Sequence, residues 1–267
     1  MTEYLQRPDG RIAYEVTGSG PLVVCIPGMG ELRTAYRFTV PALAAAGYRV
    51  ATMDLRGHGD SDITFSRYDD VAAGEDALAL VEQLGGPAVL VGNSMGAGAA
   101  AWAAAERPDL VSGLGLLGPF VRNPPAGKLQ MAFFRVLMAP LWARPAWTAY
   151  LPSLSPGRKP EDFPEHRKQI SDSMRRPGYA RAFSRTTRTT HAPVEARLHE
   201  VRQPVLVVMG ERDPDFGDPA AEARWIAERL TAEVLLVPDA GHYPQAEAPE
   251  VVNPALVALC ASVAPRA

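Results

Sequence analysis

A serine, an aspartate and a histidine occur along the chain in that order, each close after an apolar segment. Ser94 lies within GNSMG, Asp213 follows VLVVMGER, and His242 follows EVLLVPDAG. A serine hydroxyl becomes a nucleophile when a histidine takes its proton, and a carboxylate orients that histidine and stabilises its charged form. The three residue types therefore predict acyl transfer by nucleophilic catalysis.

The sequence around Ser94 has the pattern G-x-S-x-G, with Gly92 and Gly96 on either side. The apolar run PAVLVGN precedes it and the alanine-rich run MGAGAAAWAAAE follows it, which predicts a sharp turn from a strand into a helix. Glycines at these positions let the two backbones pass without Cβ collisions, and the helix N-terminus favours negative charge at the hydroxyl. The alternative is a serine that only caps the helix.

The base and the acid are predicted from their positions relative to strand ends. The chain has five histidines: His58, His166, His191, His199 and His242. Of these, His242 alone follows an apolar strand and precedes a helix start, so it is the predicted general base. The segment after VLVVMG offers four acids: Glu211, Asp213, Asp215 and Asp218. Asp213 is the predicted partner of His242 because it lies on the turn between Gly210 and Pro214, close enough to the strand end to be held rigidly. Asp215 or a merely solvated acidic loop are the alternatives.

A glycine-rich turn, IPGMGE, follows the first long apolar run. Backbone N–H groups in such a turn stabilise the negative oxygen of a tetrahedral intermediate. The predicted pair of donors is the N–H of Met29 and the N–H of Met95, the residue after the serine. The alternative for this turn is an ordinary tight turn without a catalytic role.

The elements that must position these residues form a repeating pattern. A turn at residues 8–10 predicts an N-terminal hairpin, and continuous apolar runs of strand length then alternate with helical periodicity. Such runs suit strands that are covered on both faces, which indicates a doubly wound, mostly parallel sheet. Reactive groups in this architecture collect where the strands end at their carboxyl edge.

Residues 121–199 break the pattern, because they contain no convincing strand and read as helices interrupted by prolines. We predict that they form a helical insertion, the cap, on a core of residues 1–120 and 200–267. Its aromatic and methionine side chains line an acyl pocket or form the core of the cap itself: Met131, Phe133, Phe134, Met138, Trp142, Trp147 and Tyr150. Arg181, Arg185 and Arg188 recur at helical spacing and either form a solvated face or contact an anionic substrate.

The bulk composition favours a small-molecule partner. The formal net charge is only −3, which gives no electrostatic case for binding nucleic acid or a membrane. Cys25 and Cys260 are expected to be buried thiols in a reducing compartment. We find no signal-peptide pattern and no apolar span of about 18 residues, so a soluble cytoplasmic protein is expected. The sequence implies no metal or organic cofactor and sets no oligomeric state.

With these motifs in place, the sequence resembles the α/β-hydrolase superfamily over practically its whole length. The order Ser94, Asp213, His242 matches that family, and DLRGHGDSD, GERDPDF and AGHYPQAEAPE resemble its conserved blocks. The resemblance implies that Arg56 and His58 belong to the scaffold. One departure is notable: Pro27-Gly28 replaces the usual His-Gly pair before Met29, which removes a polar side chain. Serine at position 94 disfavours the dehalogenases and epoxide hydrolases of this fold, which need aspartate there.

The sequence therefore predicts a serine hydrolase that cleaves an ester, lactone or thioester of a small, largely apolar substrate. The elbow GNSMG also resembles that of carbon-carbon bond hydrolases, although esterases share it. Carbon-carbon cleavage and acyl transfer to an acceptor other than water are alternatives within the fold. A ligand-sensing signalling protein that retains the triad is an alternative from another class.

Overall fold

The computed structural model describes residues 1–123 and 128–263, with the side chains of residues 128–131 outside the description. Residues 124–127 of the predicted cap and residues 264–267 of the predicted core therefore lie outside the described residues. The strands are β1 (Glu3–Arg7), β2 (Gly10–Thr17), β3 (Leu22–Ile26), β4 (Arg49–Met53), β5 (Ala88–Asn93), β6 (Val111–Leu117), β7 (Val205–Gly210) and β8 (Glu233–Val237).

All eight strands form one sheet in the order β1-β2-β4-β3-β5-β6-β7-β8. Strand β2 pairs antiparallel with both β1 and β4, and every other neighbouring pair is parallel. The predicted doubly wound, mostly parallel sheet with an N-terminal antiparallel hairpin is thus confirmed. The carboxyl ends of β3, β5, β7 and β8 meet at one edge, which is where the sequence places the chemistry-bearing residues.

Helices cover both faces of the sheet. They are α1 (Thr39–Ala45), α2 (Asp70–Leu84), α3 (Met95–Glu106), α9 (Pro219–Leu230) and α11 (Pro249–Val263), with the short α10 (Pro244–Glu247) before the last. Alternate residues of β3 enter different cores, because successive strand side chains point to opposite faces. Val24 and Ile26 pack with α2, α3 and α9, whereas Val23 and Cys25 pack with α1 and α11. Cys25 and Cys260 are free thiols buried together in the second core.

The chain between β6 and β7 is helical in its described part. It contains α4 (Lys128–Leu137), α5 (Ala143–Tyr150), α6 (Phe163–Arg175), α7 (Tyr179–Thr186) and α8 (Ala192–Glu195). Helices α4 to α7 contribute to a hydrophobic cluster that includes Met138, Trp147, Ile170 and Phe183 and extends to Tyr243, whereas Val194 of α8 packs into the first core of the sheet. Together they lie over the carboxyl edge of the sheet, where Trp147 contacts the loop after β3. The boundaries of the cap as an insertion stay a prediction.

Within residues 1–123 and 128–263, no helix combines the length and the apolar character needed to cross a bilayer.

Candidate active site

Ser94 occupies the turn between β5 and α3 in a conformation that only special turns impose. Its φ of 56° and ψ of −123° lie outside the regions that L-residues normally adopt, at a cost of about 1–3 kcal/mol. Its N–H donates to the carbonyl oxygen of Leu117 at 2.9 Å, and its own carbonyl oxygen accepts from the N–H of Phe120 at 3.2 Å. Both partners lie at the end of the neighbouring strand β6, so the sheet edge holds the strained residue in place.

Glycines make this turn sterically possible. A Cβ at Gly92 would lie 2.2 Å from the carbonyl oxygen of Gly96, and a Cβ at Gly96 would lie 2.2 Å from that of Ile26. A Cβ at Gly28, in the loop after β3, would lie 2.8 Å from the Cβ of Ser94. Three backbone segments therefore approach one another around Ser94 more closely than any side chain at these positions permits.

His242 is held by its backbone and by its ring. Nδ1 lies 2.8 Å from Oδ2 of Asp213, so the ring donates its Nδ1–H to the carboxylate. The His242 N–H donates to the carbonyl oxygen of Leu154, and its carbonyl oxygen accepts from Nδ2 of Asn93 at 3.0 Å. His242 and Asp213 are both buried. The tautomer fixed in this way leaves Nε2 as the ring atom able to accept a proton, and His242 lines the same cavity as Ser94.

A second carboxylate lies beside this pair. Oδ2 of Asp215 is 3.7 Å from Nδ1 of His242, beyond hydrogen-bond distance, and the Asp215 N–H donates to Oδ1 of Asp213 at 3.0 Å. The distances favour Asp213 over Asp215 as the direct partner of the histidine. Burial opposes the charged ring, but Asp213 and Asp215 outweigh burial and raise the pKa of His242 to about 9. The two carboxylates thus stabilise the imidazolium form of His242.

Two further residues, Tyr150 and Glu247, support the acid and the base in roles that the sequence did not predict. Tyr150 of α5 donates its hydroxyl to Oδ1 of Asp215 at 2.8 Å, and burial raises the pKa of the Asp215 carboxyl. Glu247 accepts from the N–H of Gly241 at 2.7 Å and from that of Tyr243 at 3.0 Å. Glu247 therefore fixes the peptides on both sides of His242. The available signal for Glu247 was an acid a few residues after the histidine, in AGHYPQAEAPE.

The loop after β3 places Met29 beside Ser94. Met29 and Met95 both line the cavity, and Met95 is the first residue of α3, where an N–H has no acceptor within the helix. Over the part of the chain that the structure describes, no protein acceptor takes the Met29 N–H. Both N–H groups are thus available to a ligand oxygen at this end of the cavity.

The peptide of Gly30 anchors this loop from two sides. Its N–H donates to Nε2 of His58 at 3.0 Å, and its carbonyl oxygen accepts from the indole N–H of Trp147 at 3.0 Å. His58 donates its Nδ1–H to the carbonyl oxygen of Arg56, and burial lowers its pKa, so the neutral ring suits both contacts. Arg56 itself pairs with Asp76 at 2.6 Å. Neither Arg56 nor His58 lines the cavity.

The cavity has a volume of about 390 Å³ and a mainly apolar wall. Of the cap side chains singled out in the sequence, four line it: Phe133, Phe134, Trp147 and Tyr150. Met138 is buried in the cluster of the cap, Trp142 is largely exposed, and the Met131 side chain lies outside the described residues. Arg181, Arg185 and Arg188 are exposed and do not line this cavity, which favours a solvated face.

Asp213, Asp215 and His242 are also the one group of ligand-type side chains close enough to hold a metal ion among residues 1–123 and 128–263. Their oxygen and nitrogen atoms lie within 4.8 Å of one another. The ring Nδ1 already donates to Asp213, and the carboxylates accept from the Asp215 N–H and the Tyr150 hydroxyl. These atoms satisfy one another, so we assign the cluster to hydrogen bonding.

Residues 23–255 match the family model described as the alpha/beta hydrolase family. The chain belongs to the α/β-hydrolase family. A relative from Mycobacterium tuberculosis, named provisionally as the non-heme bromoperoxidase BpoC, is 35% identical and covers 94% of this α/β hydrolase and 98% of its own length. The 2-(acetamidomethylene)succinate hydrolase of Mesorhizobium japonicum is 29% identical over 92% of this chain and 91% of its own.

A solved structure shows the same α/β-hydrolase fold. The esterase EaEST from Exiguobacterium antarcticum superimposes with a TM-score of 0.83 at 21% identity, covering 97% of this chain and 98% of its own. The homologues of this α/β hydrolase are thus enzymes of the same fold, esterases among them.

Proposed function

We propose that the protein is a serine hydrolase with Ser94 as nucleophile, His242 as general base and Asp213 as the acid that orients the base. The observation that carries this proposal is the 2.8 Å contact between His242 Nδ1 and Asp213 Oδ2 at the cavity that Ser94 lines. The strained φ of Ser94 supports it, because such strain persists where function requires a particular presentation of a side chain.

The proposed reaction begins when Nε2 of His242 takes the Ser94 proton as Oγ attacks a carbonyl carbon. The carbonyl oxygen becomes an oxyanion, which accepts hydrogen bonds from the N–H groups of Met29 and Met95. The protonated His242 then gives its proton to the leaving alcohol or thiol, and an acyl-enzyme forms. Water, deprotonated by the same ring, attacks the acyl-enzyme and releases the acid with Ser94 restored.

The cavity wall and the relatives support the proposed substrate class. The cavity that Ser94 lines has a mainly apolar wall, which includes Met29, Phe120, Phe133, Phe134 and Leu137. Such a wall suits the hydrocarbon part of a small ester, lactone or thioester. The names of a hydrolase and an esterase among the similar proteins support hydrolysis as the reaction type.

The test is turnover of p-nitrophenyl acetate, butyrate and octanoate by the wild type and by Ser94→Ala. We expect Ser94→Ala to lose nearly all turnover, while Ser66→Ala, an exposed serine away from the cavity, retains wild-type rates. Full activity in Ser94→Ala would refute the mechanism. Product analysis with a ring-fission diketone and with added alcohols separates hydrolysis of esters from carbon-carbon cleavage and acyl transfer. Turnover too slow to measure, with a large stabilisation by a ligand, would favour the sensing alternative.

A further inference from the structure

A second histidine–aspartate pair lies at the wall of the same cavity. Nδ1 of His191, just before α8, is 2.6 Å from Oδ2 of Asp70, the first residue of α2. Asp70 is 1% exposed and His191 is 9% exposed, and His191 lines the cavity. The proposed mechanism uses neither residue. A buried pair of this kind is costly to assemble, so its position at a substrate cavity calls for an explanation.

His191 lies close to the proposed catalytic base. The Phe120 ring stacks on the His191 ring with centroids 5.5 Å apart and contacts the His242 ring edge-on at 5.8 Å. The two imidazoles therefore flank one aromatic ring and line one cavity. A single small molecule can reach both of them.

The polar atoms at this end of the cavity are not all satisfied by the protein. Asp70 engages Nδ1 of His191, which leaves Nε2 as the ring atom free to contact a ligand. Thr189 also lines the cavity, and its buried hydroxyl has no hydrogen-bond partner within the described part of the chain. Buried polar atoms nearly always have partners in folded proteins, and a rotation of the Thr189 side chain toward the cavity lets a ligand supply this one.

The Asn123 side chain fixes the chain segment that carries His191 and Thr189. Oδ1 of Asn123 accepts from the His191 N–H at 2.9 Å, and the Asn123 amide donates to Oγ1 of Thr190 at 3.0 Å. The contacts join the segment after β6 to the segment before α8. His191 is thus fixed at its backbone by Asn123 and at its ring by Asp70, as a preorganised binding group requires.

We propose that His191 and Thr189 form a subsite for a hydroxyl group of the substrate, remote from the carbonyl that Ser94 attacks. A hydroxyl both donates and accepts, so it complements Nε2 in either protonation state of the ring and complements the Thr189 hydroxyl. A carboxylate fits less well, because the Asp70 carboxylate already contacts the His191 ring and the Asp215 carboxylate lines the same cavity. This inference rests on the proposed function, since it names the substrate class of that site.

The test compares three esters of matched length: methyl hexanoate, methyl 6-hydroxyhexanoate and monomethyl adipate. Their dissociation constants are measured by ligand-observed NMR titration on Ser94→Ala, which makes the measurement independent of turnover. The same titrations are repeated after adding His191→Phe, Thr189→Val or His199→Phe to Ser94→Ala. His199 is exposed and serves as the matched control for replacing a histidine with phenylalanine. Thermal unfolding verifies that each variant is folded. If His191→Phe does not fold, Thr189→Val still tests the subsite.

We expect Ser94→Ala to bind the hydroxy ester more tightly than either of the other two. His191→Phe reduces this preference by about tenfold, since a hydrogen bond contributes about that factor, and His199→Phe leaves it unchanged. Equal or undetectable binding of hexanoate and hydroxyhexanoate esters overturns the subsite, and tighter binding of the adipate ester overturns the hydroxyl class. Failure of the proposed function shows separately, as absence of Ser94-dependent turnover in the wild type.

Discussion

The indole N–H of Trp147 donates a hydrogen bond to the carbonyl oxygen of Gly30, 3.0 Å away. Trp147 belongs to α5, whereas Gly30 follows Met29 in the loop after β3. The contact therefore couples a helix of the cap to the loop that carries Met29, whose N–H we propose as a donor to the oxyanion. Gly30 is suited to this contact, since a Cβ there would lie 2.3 Å from the Trp147 ring nitrogen.

We expect Trp147→Phe to lower kcat by about tenfold, because loss of this hydrogen bond loosens the Met29 donor in the transition state. Steady-state kinetics with p-nitrophenyl butyrate provides kcat and KM separately. Trp142→Phe is the matched control: Trp142 lies on the exposed side of the cap and donates its indole N–H to Val136. Equal kcat values for the two variants would show that the contact does not support the oxyanion site.

The pH dependence of the reaction follows from the pKa of His242. The ring must be neutral to take the Ser94 proton, and Asp213 and Asp215 raise its pKa to about 9 against the effect of burial. We therefore expect kcat/KM for methyl butyrate, measured by pH-stat titration, to increase with pH and reach half its plateau near pH 9. A rate already constant from pH 7 upward would contradict this assignment.

The two acids near His242 are expected to act differently. Asp213→Asn removes the acceptor of the Nδ1–H and should reduce kcat by about 10⁴-fold, because the ring loses its orientation and tautomer. Asp215→Asn retains that hydrogen bond and removes one negative charge, so the pKa of His242 falls and the midpoint of the pH profile moves to lower pH. A larger loss of kcat in Asp215→Asn would exchange the two roles.

Gly96, two residues after Ser94, is expected to contribute to the stability of the protein as well as to the geometry of the turn. Gly96→Ala places a Cβ 2.2 Å from the carbonyl oxygen of Ile26, so we expect the free energy of unfolding to fall by about 3 kcal/mol. Chemical denaturation measures this change. Gly217→Ala is the control, because a Cβ at Gly217 meets no atom within 4 Å and the residue is exposed. Similar stability of the two variants would show that the elbow tolerates a side chain.

The parallel part of the sheet was predictable from sequence because its strands are continuous apolar runs, and the N-terminal hairpin was predictable from the turn at residues 8–10. Strand β8 is the informative exception. Its segment EVLLV reads as fully buried, but only Val237 is buried, since β8 is the last strand of the sheet and has a neighbour on one side only. Strand order decides this, and local sequence does not report strand order.

Ser94, Asp213 and His242 could be singled out because each follows a strand end, and the structure brings Asp213 and His242 into contact. The contacts around these three residues could not be predicted in the same way. Trp147 and Gly30 are far apart in sequence, as are His191 and Asp70, and both pairs form only when the cap lies on the sheet. Helical periodicity shows which cap side chains share a face, but it does not show which core residue each will meet.

The proposed roles of Ser94 as the nucleophile and of His242 as its general base can be tested together. Peptide mass mapping after incubation with a fluorophosphonate tests this most directly, with wild type and His242→Ala treated for the same time. We expect one adduct in the wild type, on the peptide that carries Ser94, and little or none in His242→Ala. An adduct on any other residue, or equal labelling of Ser94 in His242→Ala, would contradict it.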